Sequence, residues 1–361
     1  MYSQINYYDK EEKTLYINKE LSNKFTIPED TEKIIFKQSF FNKYLIFNKY
    51  INKLPETLRQ LSLGYFFDEP IDNLPEKLTH LSLGYSFNQS IDNLPENLTH
   101  LTLGYSFNQS IDNLPKNLTH LTLEHCFNQP IDYLPKNLTH LILSSKFKQS
   151  VDNLPTKLTH LTFGFEFNSK VDYLPKTVTH LTFGRAFNQS VDYLPKSLTH
   201  LTFGDNFKWI VKHLPENITH LTFGEYFNQP VKYLPKNITH LSFGKCFEQS
   251  LKNLPNSLIY LKLGWNFQND IILPNSVKEL YLTCNNKLIN NIPEHVEKLF
   301  IWFYFNQNFD AGEEFYEYND YNKNIYNLTS TLKEIIIEKD EFKKYITKIP
   351  FGTKITIQKI E

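Results

Sequence analysis

Apolar residues recur along this chain in one fixed order at a spacing of twenty. In residues 94–113 they are Leu94, Leu98, Leu101, Leu103, Phe107 and Ile111. Leu101 and Leu103 alternate with His100, Thr102 and Gly104, the period of two that marks a short, half-buried strand. The rest of the unit carries Pro95, Asn97, Asn108 and Asn113, and no stretch free of proline is long enough for a helix. One strand and an extended or turn-like return fill such a unit. A lone unit cannot bury its own apolar face, so neighbours must stack and share one core.

The pair Leu-Pro marks the register from Leu54-Pro55 to Leu254-Pro255, eleven units without a slip. Leu273-Pro274 and Ile292-Pro293 follow at nineteen, the loosening expected of terminal repeats. Ile27-Pro28 followed by KIIF predicts a degenerate unit before the array, and TLKEIII at 331–337 and IPFGTKITI at 349–357 predict two after it. The expected fold is a β-rich, right-handed solenoid with a parallel sheet on its concave face. Three segments are expected: a cap with a degenerate repeat at 1–53, regular repeats at 54–273, and degenerate repeats with an insertion at 274–361.

Composition narrows the function by exclusion. Lys and Arg total 38 against 39 Asp and Glu, so no net field favours nucleic acid or an anionic membrane. No apolar run reads as a signal peptide or a membrane span. The expectation is a cytoplasmic protein with neither nucleic acid nor membrane as partner. Cys126 and Cys246 share a repeat position six units apart, about 29 Å at the usual strand spacing, and Cys284 has no partner in its own unit. All three are expected as free thiols.

The kernel Leu98, Leu101, Leu103 resembles that of leucine-rich repeats, and Leu94-Pro95 resembles their short bacterial class. The element Phe87-Asn88-Gln89-Ser90, with its copy Phe127-Asn128-Gln129-Pro130, is similar to FNIP-repeat proteins of slime moulds and amoeba-infecting giant viruses. The resemblance implies a non-enzymatic protein-interaction scaffold, and by analogy recruitment in host or amoebal ubiquitin signalling. Many relatives carry an amino-terminal F-box, whereas KTLYINKEL and TEKIIFKQSFF here read as strands. A structural, virion-associated assembly protein is the alternative. The partner and the oligomeric state are open at this point.

Histidine is the most conspicuous polar feature. His80, His100, His120, His140, His160, His180, His200, His220 and His240 all precede the inward leucine and so face away from the core. As a column they could bind metal or sense pH; a straight row copied by duplication, with no interleaved Cys, Asp or Glu, argues for a surface residue. No metal or cofactor is expected. Thr102, Thr122, Thr162 and Thr182 run beside them and suit either a solvated strand or a binding groove.

Single glycines close most strands as turn or close-approach positions, except at Glu124 and Ser144. With His125 these interrupt the strip at 124–146, a candidate local recognition feature. The asparagine after each phenylalanine, as at Asn108, is expected to bond backbone within its turn. Asp112 and Lys116 alternate in sign along the return, whereas Lys212, Lys232 and Lys252 later replace the acid, predicting a basic strip. The insertion at 310–327 is acidic and aromatic, and Phe315, Tyr316, Tyr318 and Tyr321 within it form a candidate recognition loop. No nucleophile–base pairing, phosphate loop or dinucleotide fingerprint occurs, so no enzyme is expected.

Overall fold

A typical repeat closes on itself through two reverse turns, set by its proline and by the residue after its strand. Leu98 N–H donates to the Pro95 carbonyl at 3.0 Å, and Phe107 N–H donates to the Gly104 carbonyl at 3.2 Å. Proline fixes the first corner because its ring presets φ and needs no amide donor there. Between the corners lies the strand, whose donors and acceptors reach the turns before and after it.

A computed structural model describes residues 6–17, 25–36, 51, 53–303 and 324–358. The chain divides into two compact units, Met1–Gln189 with Tyr193–Ser197, and Ser190–Asp192 with Leu198–Glu361. In the first unit, β1 (Tyr7–Asp9) pairs antiparallel with β2 (Thr14–Ile17). Parallel strands follow in chain order: β3 (Lys33–Phe36), β4 (Gln60–Ser62), β5 (His80–Ser82) and β6 (His100–Leu103). The ladder continues with β7 (His120–Leu123), β8 (His140–Ile142), β9 (His160–Thr162) and β10 (His180–Thr182).

The second unit holds β11 (His200–Thr202), β12 (His220–Thr222), β13 (His240–Ser242) and β14 (Tyr260–Lys262). Its ladder ends with β15 (Glu279–Thr283), β16 (Lys298–Trp302), β17 (Glu334–Ile337) and β18 (Lys354–Ile357), again parallel in chain order. The fold is the expected parallel β-solenoid of about twenty-residue turns, and the degenerate units at both ends supply strands.

The six apolar positions of residues 94–113 are the core: Leu98 and Phe107 are fully buried, and Leu94 is the most exposed at 9%. Phenylalanines of successive turns stack, with Phe87, Phe107 and Phe127 at 6.2 Å between ring centres. On the same turns the histidine rings are only 4.1 Å apart. Equivalent side chains in equivalent rotamers report the local spacing of the turns. The first unit therefore bends toward its histidine side, and the second repeats this with 4.2 Å against 6.0 Å.

The glycines that close the strands of the regular array serve close approach rather than left-handed backbone. A Cβ on Gly84 would lie 2.1 Å from the Gly64 carbonyl oxygen, and one on Gly164 would lie 1.7 Å from that of Ser144. Glu124 is accommodated because β6 and β7 run one residue longer there, with Leu103 opposite Leu123 and the Glu124 N–H on the Leu103 carbonyl at 3.0 Å.

Candidate functional site

From β5 to β13 the outward strand face is built from the dipeptide Thr-His at the strand entry. Thr119 and His120 both donate backbone N–H to the Thr99 carbonyl, at 2.9 and 3.0 Å. This shared acceptor locks each strand entry to the turn before it. The threonine hydroxyl then lies 3.1 Å from that same carbonyl and 2.8 Å from Nδ1 of its own histidine. The pattern recurs at Thr79-His80, Thr99-His100, Thr139-His140 and Thr159-His160.

A hydroxyl has one proton and a carbonyl can only accept. Both contacts are satisfied together only when the hydroxyl donates to the carbonyl and Nδ1–H donates to the hydroxyl. The hydrogen-bond pattern thus assigns the neutral rings the Nδ1–H tautomer, with Nε2 as an acceptor. From His80 to His160, Nε2 has no partner among the described residues.

The rings stack in one register: His80 through His180 at 4.1–4.2 Å in the first unit, and His200, His220 and His240 at 4.2 Å in the second. Each is half-buried. Burial holds His80, His120, His140 and His160 below the usual imidazole range and takes His100 down to about 4, with the neighbouring cations or imidazoles adding to the effect. Stacked rings aim their Nε2 lone pairs side by side rather than at a common point. Among the described residues no group of three or more His, Cys, Asp or Glu could hold a metal ion.

Thr102, Thr122 and Thr162 lie half-buried beside the histidines and Thr182 is exposed. Ile142, 45% exposed, interrupts their row. Glu124 is exposed, and its carboxyl is raised above the usual range by the packing around it. Ser144 takes no part in a surface feature: it is 1% exposed and its hydroxyl donates to the Phe127 carbonyl. His125 does not break a strip but extends one, stacking at 4.2 Å on Tyr105 in a column with Tyr65 and Tyr85.

The post-phenylalanine asparagines bond between turns rather than within one. Asn88 Oδ1 accepts from Asn108 N–H at 2.8 Å, and Asn108 Oδ1 accepts from Asn128 N–H at 2.8 Å. Asx-turn preference, a local signal, gave the wrong partner because stacking brings the next turn's amide closer. Along the return, Asp92 is held by Ser90 and Asn113, which push its carboxyl pKa down. Phe315, Tyr316, Tyr318 and Tyr321 lie outside the described residues.

Sequence reasoning missed the end of the face. From β14 onward the histidine positions pass through Tyr260 to Glu279, Lys298 and Glu334, while Lys262, Tyr281, Phe300 and Ile336 take the threonine positions, around a cavity. The signal was present in the same alternation, at the point where the period changes to nineteen.

The FNIP Repeat family matches five segments in series, residues 87–126, 127–166, 167–206, 206–246 and 247–285. Among solved structures, CroV588, described as a novel circular LRR protein, superposes with a TM-score of 0.71 at 34% identity over 91% of this chain. This chain spans half the length of CroV588, 50%. YopM from Yersinia enterocolitica WA-314 aligns at 16% identity over 97% of this chain and 92% of its own, with a TM-score of 0.40. No curated protein matches. The matched segments run unbroken from residue 87 to residue 285, over half of the chain, and the chain belongs to the FNIP-repeat family of leucine-rich-repeat-like scaffolds.

Proposed function

We propose that this chain is a non-enzymatic protein-binding scaffold whose histidine–threonine face takes a protein surface. One observation carries the reading: the ladder is a rigid row of half-exposed imidazoles with one tautomer and a free acceptor edge on each ring from His80 to His160. Side chains already fixed by stacking and hydrogen bonds lose little entropy when a partner docks. The inward bend of each unit favours a convex partner bearing hydrogen-bond donors. Recruitment within ubiquitin signalling is the finer form of this reading and rests on the family resemblance.

A triple variant, His100→Ala, His120→Ala and His140→Ala, tests it. The wild-type chain and the variant serve as bait in crosslinked capture from amoebal lysate. Specific partners should be held by the wild type and lost by the variant. Ubiquitin-ligase components among those lost would support the finer reading. A partner set unchanged by the triple substitution would overturn the assignment of this face.

One observation favours a second reading, self-assembly: the aligned repeats of this chain cover half of CroV588, a protein described as circular, so a second such array would supply the other half. Light scattering behind size exclusion separates the two. A dimer that persists in the triple variant supports assembly, and a monomer opposes it.

A further inference from the structure

The outward face of the second unit changes character where its histidines end. Its strands there present Tyr260 and Lys262, then Tyr281, then Phe300 and Trp302, then Ile336. These side chains stand on the solvent side of the sheet, yet Phe300 and Ile336 are each only 9% exposed. They surround a cavity of about 560 Å³. Tyr281 stacks on Phe300 at 3.6 Å, and the Lys262 ammonium stands 4.8 Å over the Trp302 ring. No other part of the repeat face carries such an apolar lining among the described residues, and the fold does not need one there, because the core lies on the opposite side of these strands.

Two polar atoms of the cavity wall are unspent, whereas the Tyr260 and Tyr281 hydroxyls bond each other. Trp302 Nε1 and Glu338 Oε2 are buried without a hydrogen-bond partner, as is Oγ1 of Thr283, in register with Trp302. Buried polar groups without partners are rare in native structures, and each one calls for an explanation, an unseen ligand among them. The charges beside the cavity neutralise one another: Lys298 pairs with Glu279 at 3.1 Å and Lys354 with Glu334 at 3.8 Å. Lys262 has no such carboxylate among the described residues and keeps its ammonium against the aromatic wall.

We propose that this cavity binds an organic carboxylate with an apolar body, its anion received by Lys262 and the Trp302 Nε1–H and its body laid on Tyr281, Phe300 and Ile336. The donors decide the sign of the ligand. An ammonium ligand would meet the charge of Lys262 on the tryptophan face that a cation needs. A carboxylate instead gains a charge-assisted hydrogen bond and the indole donor. Burial lowers the Lys262 pKa and raises that of Glu338, and an anion placed beside the ammonium offsets part of the cost of burying that charge. This site uses none of the histidines and stands or falls independently of the reading given to them.

The test is calorimetric titration of the full chain near about pH 7 with three probes of one body: 3-phenylpropionate, 3-phenylpropanamide and 3-phenylpropylamine. The acid should bind one to one, roughly tenfold or more tighter than the amide or the amine. Lys262→Met should bring the acid down to the level of the amide, and Lys262→Arg should restore most of the preference. Trp302→Phe should weaken the acid several-fold, and the indole N–H resonance it removes should be the one the acid shifts in the wild type. Thermal melts of each variant confirm that the chain remains folded. N-acetyl-glycyl-phenylalanine and its terminal amide distinguish the source: tight binding by the peptide acid points to a partner's chain end, and its exclusion points to a free acid. No heat from any probe, an amide or amine that binds as well as the acid, or acid binding that survives Lys262→Met overturns the proposal.

Discussion

The hydroxyl of Thr119 stands 2.8 Å from Nδ1 of His120 and 3.1 Å from the Thr99 carbonyl one turn earlier. That single hydroxyl ties a ring on the surface to the backbone ladder beneath it. It fixes the tautomer, and it means that acid must add its proton at Nε2, where the Nδ1–H bond survives. The resistance to protonation therefore comes from burial first and from neighbouring imidazoles second. Mutual repulsion of stacked cations alone would understate it.

Stability should fall on mild acidification. The folded pKa of His100 is depressed from 6.5 to about 4, and His120, His140 and His160 are depressed in the same direction. Below 6.5 the unfolded chain binds protons that the folded chain refuses, so stability is full above that pH and is lost as pH falls toward the folded value. Urea midpoints should drop between about pH 7.5 and about pH 5. A midpoint that rises would mean the rings are charged in the folded state.

Inside and outside should separate cleanly on one turn. Phe167 is fully buried, stacked on Phe163 at 4.1 Å, so Phe167→Ala should cost about 3–5 kcal/mol. Thr162→Ala, on the outward face, should stay within about 0.5 kcal/mol. Thr159→Ala removes a hydroxyl that bonds both the Thr139 carbonyl and His160, and should fall between them at about 1–2 kcal/mol. Denaturant melts that rank these three in any other order would misplace the core.

Glycine should be needed for proximity. In Gly164→Ala the new methyl would sit 1.7 Å from the Ser144 carbonyl oxygen, forcing two turns apart at a cost near about 3 kcal/mol. Gly352→Ala meets nothing within 4 Å and should cost only the strain of its positive φ of 84°, about 1 kcal/mol. Equal losses in chemical denaturation would point to backbone conformation as the common cause.

The three cysteines are free thiols and differ in access. Cys126 and Cys246 are half-buried and should react with maleimide in the native protein, whereas Cys284, 1% exposed, should react only on unfolding. Mass spectrometry of the labelled peptides checks this, and fast native labelling of Cys284 would show that its turn opens.

The repeat, its strand and its core are legible in the sequence alone. Leu98, Leu101, Leu103 and Phe107 were identifiable as inward because alternation and a fixed period are properties of the chain alone. It also placed the histidines outward and the degenerate strands at Lys33–Phe36 and Glu334–Ile337. What it could not supply was any bond between turns. Asn108 was assigned to its own turn and bonds the next, Ser144 looked like a surface exception and is buried, and the threonine before each histidine showed no role at all. Those contacts join residues about twenty positions apart whose distance is set by how tightly neighbouring turns stack. The cavity around Trp302 was hidden for the same reason: its wall comes from four strands, and only the parallel ladder brings Lys262 over Trp302.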